Sequence, residues 1–166
     1  MTLLALVPSA LDDVPAMRHH LRTERVVDAP AERVFAVLAG GEGQHRWAPG
    51  YRGTRWYGGS ARGVGTVRDV HLLWITVRER FLAWEPGARF AFSADAMSVP
   101  LARRLVEDIA FTPLGPQRCR MTWEVHLTPA PVLGPAGPRL VERVFAPMFA
   151  AFAEGLARYS ATTTRT

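Results

Sequence analysis

Residues 138–159 read PRLVERVFAPMFAAFAEGLARY. Val141, Val144, Phe145, Met148, Phe149, Phe152, Leu156 and Tyr159 recur at three-and-four spacing, so they share one face of a helix about six turns long. Glu142, Arg143, Glu154 and Arg158 fall mostly on the opposite side. Pro138 suits the first turn, where its missing N–H costs nothing. Three phenylalanines on one face, each able to bury roughly 150–250 Å², need a large apolar partner. Upstream, only a set of strands can supply it. Pro147 lies inside the stretch, where a proline costs roughly 3 kcal/mol and pushes Ala146 off helical angles. Either the helix bends to follow a curved sheet, or the bend widens one end of a cavity.

Working outward, Pro129–Pro138 is a Pro/Gly-rich connection, and the segments before it alternate. Strands are expected at Arg22–Asp28, Tyr51–Tyr57, Gly65–Leu72, Ile75–Trp84, Arg89–Ala96, Arg104–Pro113 and Arg118–Pro129. Short turns such as Glu85-Pro86-Gly87 and Pro113-Leu114-Gly115-Pro116 favour antiparallel pairing. Two short helices follow the first strand, one at Pro30–Leu38 and one turn at His45–Trp47; Gly40, Gly41 and Gly43 separate them. The expectation is an α+β helix-grip fold: a curved antiparallel sheet of about seven strands around the C-terminal helix. Residues 1–17 form an N-terminal extension ordered in part by Leu3, Leu4 and Leu6, residues 18–160 a single domain, and residues 161–166 a flexible tail.

Alternation assigns side chains to faces. Cys119, Met121, Trp123, Val125 and Leu127 share the helix side of the last strand. Phe90, Phe92 and Ala94 do so on theirs, as do Leu105, Ile109 and Phe111, which bring Glu107 inward. Ile75, Val77, Phe81 and Ala83 bring Glu79. On the strand before, Arg68, Val70 and Leu72 compete with Val67, Asp69 and His71, and alternation alone does not choose. The interior is therefore apolar with charged intruders at Glu79, Glu107 and, on one choice of face, Arg68. An isolated buried charge is costly, so these groups must pair, meet water or shift in pKa. They form either a structural Arg–Glu pair near a cavity mouth, or polar anchors and acid–base groups for a ligand.

Composition narrows the classes. The net charge is +5 and all 20 basic residues are arginine, which excludes lysine Schiff-base chemistry. The arginines are scattered, without the stripe that marks a nucleic-acid site. Cys119 is the only cysteine, so no intrachain disulfide or cysteine-built zinc site forms. His19 and His20 are adjacent and point to opposite sides of a strand. His45, His71 and His126 lack ligand spacing along the chain, and no metal or cofactor is expected. Gly58-Gly59-Ser60-Ala61-Arg62 fails the spacing of a nucleophile elbow, and Gly63-Val64-Gly65 opens a strand rather than a helix, unlike a dinucleotide loop. Trp123 reads as core, and the other tryptophans sit near strand ends where they line a cavity mouth. No stretch is long enough to span a bilayer, and no signal peptide is evident, so a cytoplasmic monomer or homodimer is the expectation.

The order of elements resembles the START-like (SRPBCC, Bet v 1-like) superfamily, and within it the bacterial polyketide cyclase/dehydrase and lipid-transport group. RVVDAPAERVFAVLAG at 25–40, HRWAP at 45–49, VRER with FLAWEPGARFAFS at 77–93 and CRMTWEVHLTP at 119–129 carry the resemblance. It implies a cavity between sheet and helix that holds a hydrophobic or amphipathic small molecule, lipid or polyketide-like; the alternative is a cyclase/dehydratase-type enzyme using a cavity carboxylate, Glu79 or Glu107. GTVRDVHL with VRERF is similar to paired strands of plant abscisic-acid receptors, in which the residues matching Val70, Leu72 and Glu79 line the pocket. Those receptors carry a gating loop where this chain has only Leu73-Trp74. In aromatase/cyclases a pocket arginine lies near the position of Arg80, which alternation here turns outward. The ligand-lining set expected from faces and resemblance together is Arg68, Val70, Leu72, Glu79, Phe81, Phe90, Phe92, Glu107, Ile109, Phe111, Met121, Trp123, Phe145, Met148, Phe149 and Phe152.

Overall fold

A computed structural model describes residues 2–41 and 43–162. Strands β1 (Leu4–Ala5), β2 (His19–Val27), β3 (Tyr51–Tyr57), β4 (Val67–Leu72), β5 (Thr76–Glu85), β6 (Arg89–Met97), β7 (Ala102–Gly115) and β8 (Arg118–Pro129) form one antiparallel sheet. Helices α1 (Ala31–Gly40) and α2 (Gln44–Trp47) follow β2, and α3 (Gly137–Thr162) closes the chain. The main path runs β2-β8-β7-β6-β5-β4-β3, with β1 paired to β6. This is the helix-grip architecture, with a seven-strand path around one long helix.

The amphipathic face of α3 packs as its spacing predicts. Val141, Phe145, Phe149, Phe152 and Leu156 are buried together with Met121, Trp123, Val125 and Leu127 of β8. The helix continues through Pro147, which sits on its exposed side, and the lost N–H bond falls where water can satisfy the freed carbonyl. Of the expected tail, residues 161 and 162 complete α3, and 163–166 lie outside the described residues.

Two glycines let α2 approach α3. A Cβ on Gly155 would come within 2.0 Å of the Trp47 carbonyl oxygen, and one on Gly43 would meet the Tyr159 ring at 2.3 Å. Gly43 also has φ near +58°, a conformation that glycine adopts without strain. The close crossing buries Trp47 and Gln44, and both end up facing the interior.

The segment ahead of residue 18 is tied to the sheet. Leu4 pairs with Met97, the Leu6 amide donates to the Asp95 carbonyl at 3.0 Å, and the Val7 amide donates to Arg103 at 2.9 Å. It runs over the face of the sheet away from α3: the Ser9 amide donates to Ser93 Oγ at 3.1 Å, and Arg80 Nη2 donates to the Ser9 carbonyl at 3.2 Å. Met17 is buried along this segment, Leu6 joins the main core, Leu3 is half-buried and Leu4 is exposed. Ala91, Ser93 and Val106 are therefore buried although alternation turns them outward.

That outer face also explains many of the arginines. Arg78 pairs with Asp69 at 2.8 Å, Arg80 with Asp95 at 2.7 Å and Arg89 with Asp108 at 2.7 Å, each across neighbouring strands. The Arg78 guanidinium holds the Asp69 carboxyl below the usual carboxylate range, and the Tyr57 hydroxyl donates to the same carboxyl at 2.7 Å.

Candidate functional site

Between the sheet and α3 lies an apolar cavity of about 70 Å³. Arg68, Val70 and Leu72 of β4 line it, followed by Ile75 and by Val77 and Glu79 of β5. Phe92 and Met97 come from β6, Leu105 and Glu107 from β7, and Trp123 from β8. The roof is Phe145, Met148, Phe149 and Phe152 of α3; Leu38 of α1 with Gln44, Trp47 and Ala48 close one side. Leu73 and Trp74, between two lining residues, stand exposed at the β4–β5 turn.

The structure selects the Arg68 face of β4. Arg68 and Glu79 are direct cross-strand partners, and Arg68 Nε donates to Glu79 Oε2 at 2.6 Å with both side chains buried. The guanidinium lies 5.2 Å from the Trp56 ring centroid, 5.1 Å from Phe81 and 5.8 Å from Phe90. These ring faces offset part of its desolvation, which a planar, weakly hydrated guanidinium tolerates better than an ammonium does. Its Nη1 is buried and has no hydrogen-bond partner among the described residues.

Glu107 is the second buried carboxyl. Trp123 Nε1–H donates to its Oε2 at 2.9 Å. Burial pushes the Glu107 carboxyl well above the usual carboxylate range, and the nearby Glu79 charge pushes it further. Burial also raises Glu79, against the pull of Arg68. Arg68 thus pairs directly with Glu79, while Glu107, without such a partner, is the carboxyl pushed further toward its protonated form. Two polar side chains therefore stand among the hydrocarbon and aromatic lining: Arg68, whose Nη1 is unpartnered among the described residues, and Glu107, whose carboxyl is pushed toward its protonated form.

Five residues of the expected lining set do not reach the cavity. Phe81, Phe90, Ile109, Phe111 and Met121 are buried in the solid part of the core. Phe35 of α1 plugs that end, packing edge-on against Trp84, Phe90 and Phe111 at centroid distances of 5.9, 5.9 and 6.2 Å. Alternation identifies the inward face, but not how far along it the filling stops. The other eleven meet around the cavity: Arg68, Val70, Leu72, Glu79, Phe92, Glu107, Trp123, Phe145, Met148, Phe149 and Phe152. Trp47, expected at the cavity mouth, joins them, as do Leu38, Gln44, Ala48 and Met97, which were not expected in the lining. For Trp47 and Gln44 the available signal was Gly155, small in an otherwise bulky helix. Arg80 points to the outer face, so the pocket arginine of this chain is Arg68. Cys119 is buried on β8, where burial and Glu32 raise its thiol to about 11, which leaves it unreactive.

Among the described residues, no helix is long and apolar enough to cross a membrane. Among proteins of curated function, none matches the chain. Solved structures with the same fold include a START superfamily protein from Mycobacterium smegmatis, 14% identical, covering 87% of this chain and 99% of the other at a TM-score of 0.69. The Zhui aromatase/cyclase from a Streptomyces species is 19% identical over 85% of this chain and 95% of its own, at 0.61. The XoxI protein from Bacillus cereus is 14% identical over 89% and 99%, at 0.70. At these identities the likeness is one of fold. The sequence itself carries the family assignment, because residues 18–161 match the family model described as polyketide cyclase / dehydrase and lipid transport, and the chain belongs to that family.

Proposed function

We propose that the protein binds a small, mainly apolar molecule that carries an acceptor oxygen, held between the sheet and α3. The observation that carries this reading is the buried Arg68 Nη1, a donor without a partner among the described residues, on a side chain that lines the apolar cavity. Leaving a buried donor unsatisfied costs about 1–3 kcal/mol. A carbonyl, carboxylate or phenolic oxygen from a ligand would satisfy it, with the Glu107 proton as a second contact. Val70, Leu72, Ile75 and Val77 would take the apolar part. The cavity volume of about 70 Å³ is well below the roughly 300–1,000 Å³ that holds a drug-sized molecule. A lipid or polyketide chain therefore enters only if Met148, Phe149 and Phe152 give way or the Leu73–Trp74 turn opens.

Thermal shift and tryptophan fluorescence against paired ligands test this, since Trp47 and Trp123 both face the cavity. A medium-chain fatty acid or an aromatic ketone is expected to bind roughly 10–100-fold tighter than a hydrocarbon of the same shape, the range for one hydrogen bond to a charged donor. Equal binding of both members of each pair, or binding unaffected by filling the cavity with Met148→Trp, would count against the reading.

One observation favours chemistry in the same pocket. Burial and the nearby Glu79 push the Glu107 carboxyl above the usual carboxylate range in an apolar site, the direction a general acid requires. Glu79, tied to Arg68, is the poorer proton carrier. On this second reading the protein is a cyclase/dehydratase-type enzyme, and Glu107→Gln stops turnover while binding survives.

A further inference from the structure

On the outer face, away from the cavity, the pairing of β2 with β8 sets His20 directly opposite His126. Their rings stack with centroids 4.6 Å apart and planes 3° from parallel. Glu124 precedes His126 by two residues and so shares its face. His20 Nε2 lies 3.3 Å from Glu124 Oε1, and His126 Nε2 lies 4.0 Å from Glu124 Oε2. One donor atom from each of the three side chains falls within a 4.8 Å cluster. We propose that His20, Glu124 and His126 form a binding site for one divalent transition-metal ion of the imidazole-preferring class, zinc above all.

Two imidazoles and one carboxylate are a donor set suited to zinc, with copper(II) and nickel(II) as competitors, and three protein ligands leave a position for water. Zinc–ligand bonds of about 2.0–2.2 Å place neighbouring donor atoms roughly 3.3–3.5 Å apart in a tetrahedron. The His20 Nε2–Glu124 Oε1 separation already has that value; His126 Nε2 lies 4.0 Å from the other oxygen, Oε2, and the two stacked rings must turn about their side-chain torsions before both lone pairs meet one ion. The β2–β8 register holds His20 and His126 directly opposite each other while the rings turn. Arg22 donates to Glu124 Oε1 at 3.4 Å and competes with the metal. It has an alternative partner in Glu24 Oε2, which it reaches at 3.1 Å, so the metal can take Glu124 without stranding a guanidinium. The bound ion would clip β2, an edge strand of the main path, to β8. This site is independent of the cavity and of what the cavity binds.

Tag-free full-length protein, stripped with chelator and titrated with zinc chloride, tests the site. Calorimetry should show one equivalent bound, and the melting temperature should rise by about 5–10 °C at a zinc concentration a hundredfold above Kd. Cobalt(II) substituted for zinc should give visible absorption bands. The bands and the zinc-induced shift should both be lost in the His20→Gln/His126→Gln double variant. Absence of stoichiometric binding would overturn the proposal. So would a zinc response that persists in the double variant, since it would place the ion elsewhere. The melting temperature of the metal-free double variant, compared with metal-free wild type, shows whether loss of binding reflects loss of the ligands or of the fold.

Discussion

Arg68→Met is expected to cost roughly 3–5 kcal/mol, the usual consequence of removing one partner from a buried ion pair. The variant leaves the Glu79 carboxyl enclosed by apolar groups, without the guanidinium that donates to it at 2.6 Å. A domain of this size has only about 5–15 kcal/mol of stability in total. At roughly 2–4 °C per kcal/mol, the melting temperature falls by about 10 °C. The loss shrinks at acid pH, where Glu79 takes up a proton. The double variant Arg68→Met/Glu79→Met should recover most of it, because replacing both buried charges by well-packed apolar groups is commonly neutral or stabilising. A double-mutant cycle by denaturant unfolding reads the coupling directly. Single and double variants of equal stability would mean that the pair is solvated, and the enclosed site described above would not stand.

Glu107→Gln should move stability the other way, and with a definite pH dependence. Burial and Glu79 raise the Glu107 carboxyl well above 4.5, its ordinary value. The folded protein therefore holds a proton that the unfolded chain has already released. The contribution of Glu107 to wild-type stability falls as pH rises from about 4.5 through its folded pKa, and is flat above it. Glutamine carries no such proton, yet its side-chain oxygen still accepts from Trp123 Nε1–H. Variant and wild type should match near pH 4, and the variant should gain as pH rises, by about 2–4 °C for each kcal/mol relieved. A gap that is constant with pH, or that narrows as pH rises, would show that Glu107 is ionised in the folded state.

The parts of this molecule that were legible from sequence are those with a single dominant period. α3 carried its face in eight apolar residues at helical spacing, and β8 carried strict alternation from Cys119 to Leu127. Together with the turn-separated strands between them, these two elements carried the expectation of a curved sheet around one helix. β4 was less legible, because Arg68-Asp69-Val70-His71-Leu72 places a charged or polar residue on each face, and both faces are covered. Asp69 is buried on the outer side by Arg78 and Tyr57, so burial does not distinguish the faces even in the structure; the cavity lining and the pairing of Arg68 with Glu79 do. The depth of the cavity was not legible, since it depends on where Phe35 of α1 meets Phe90 and Phe111. The two-residue strand β1 carries no period. The opposition of His20 and His126 is a matter of register between distant strands, which spacing along the chain does not encode.

Native mass spectrometry of the protein purified from its own host, followed by solvent extraction of whatever it carries, tests the central claim most directly. The account predicts a bound molecule, mostly hydrocarbon or aromatic, with at least one carbonyl, carboxylate or phenolic oxygen, and predicts that Met148→Trp is recovered without it. A bare mass from the host, together with no thermal shift from any oxygen-bearing apolar ligand, would contradict the account. The cavity would then be filled by its own aromatic side chains, and Arg68, Glu79 and Glu107 would be a structural cluster only.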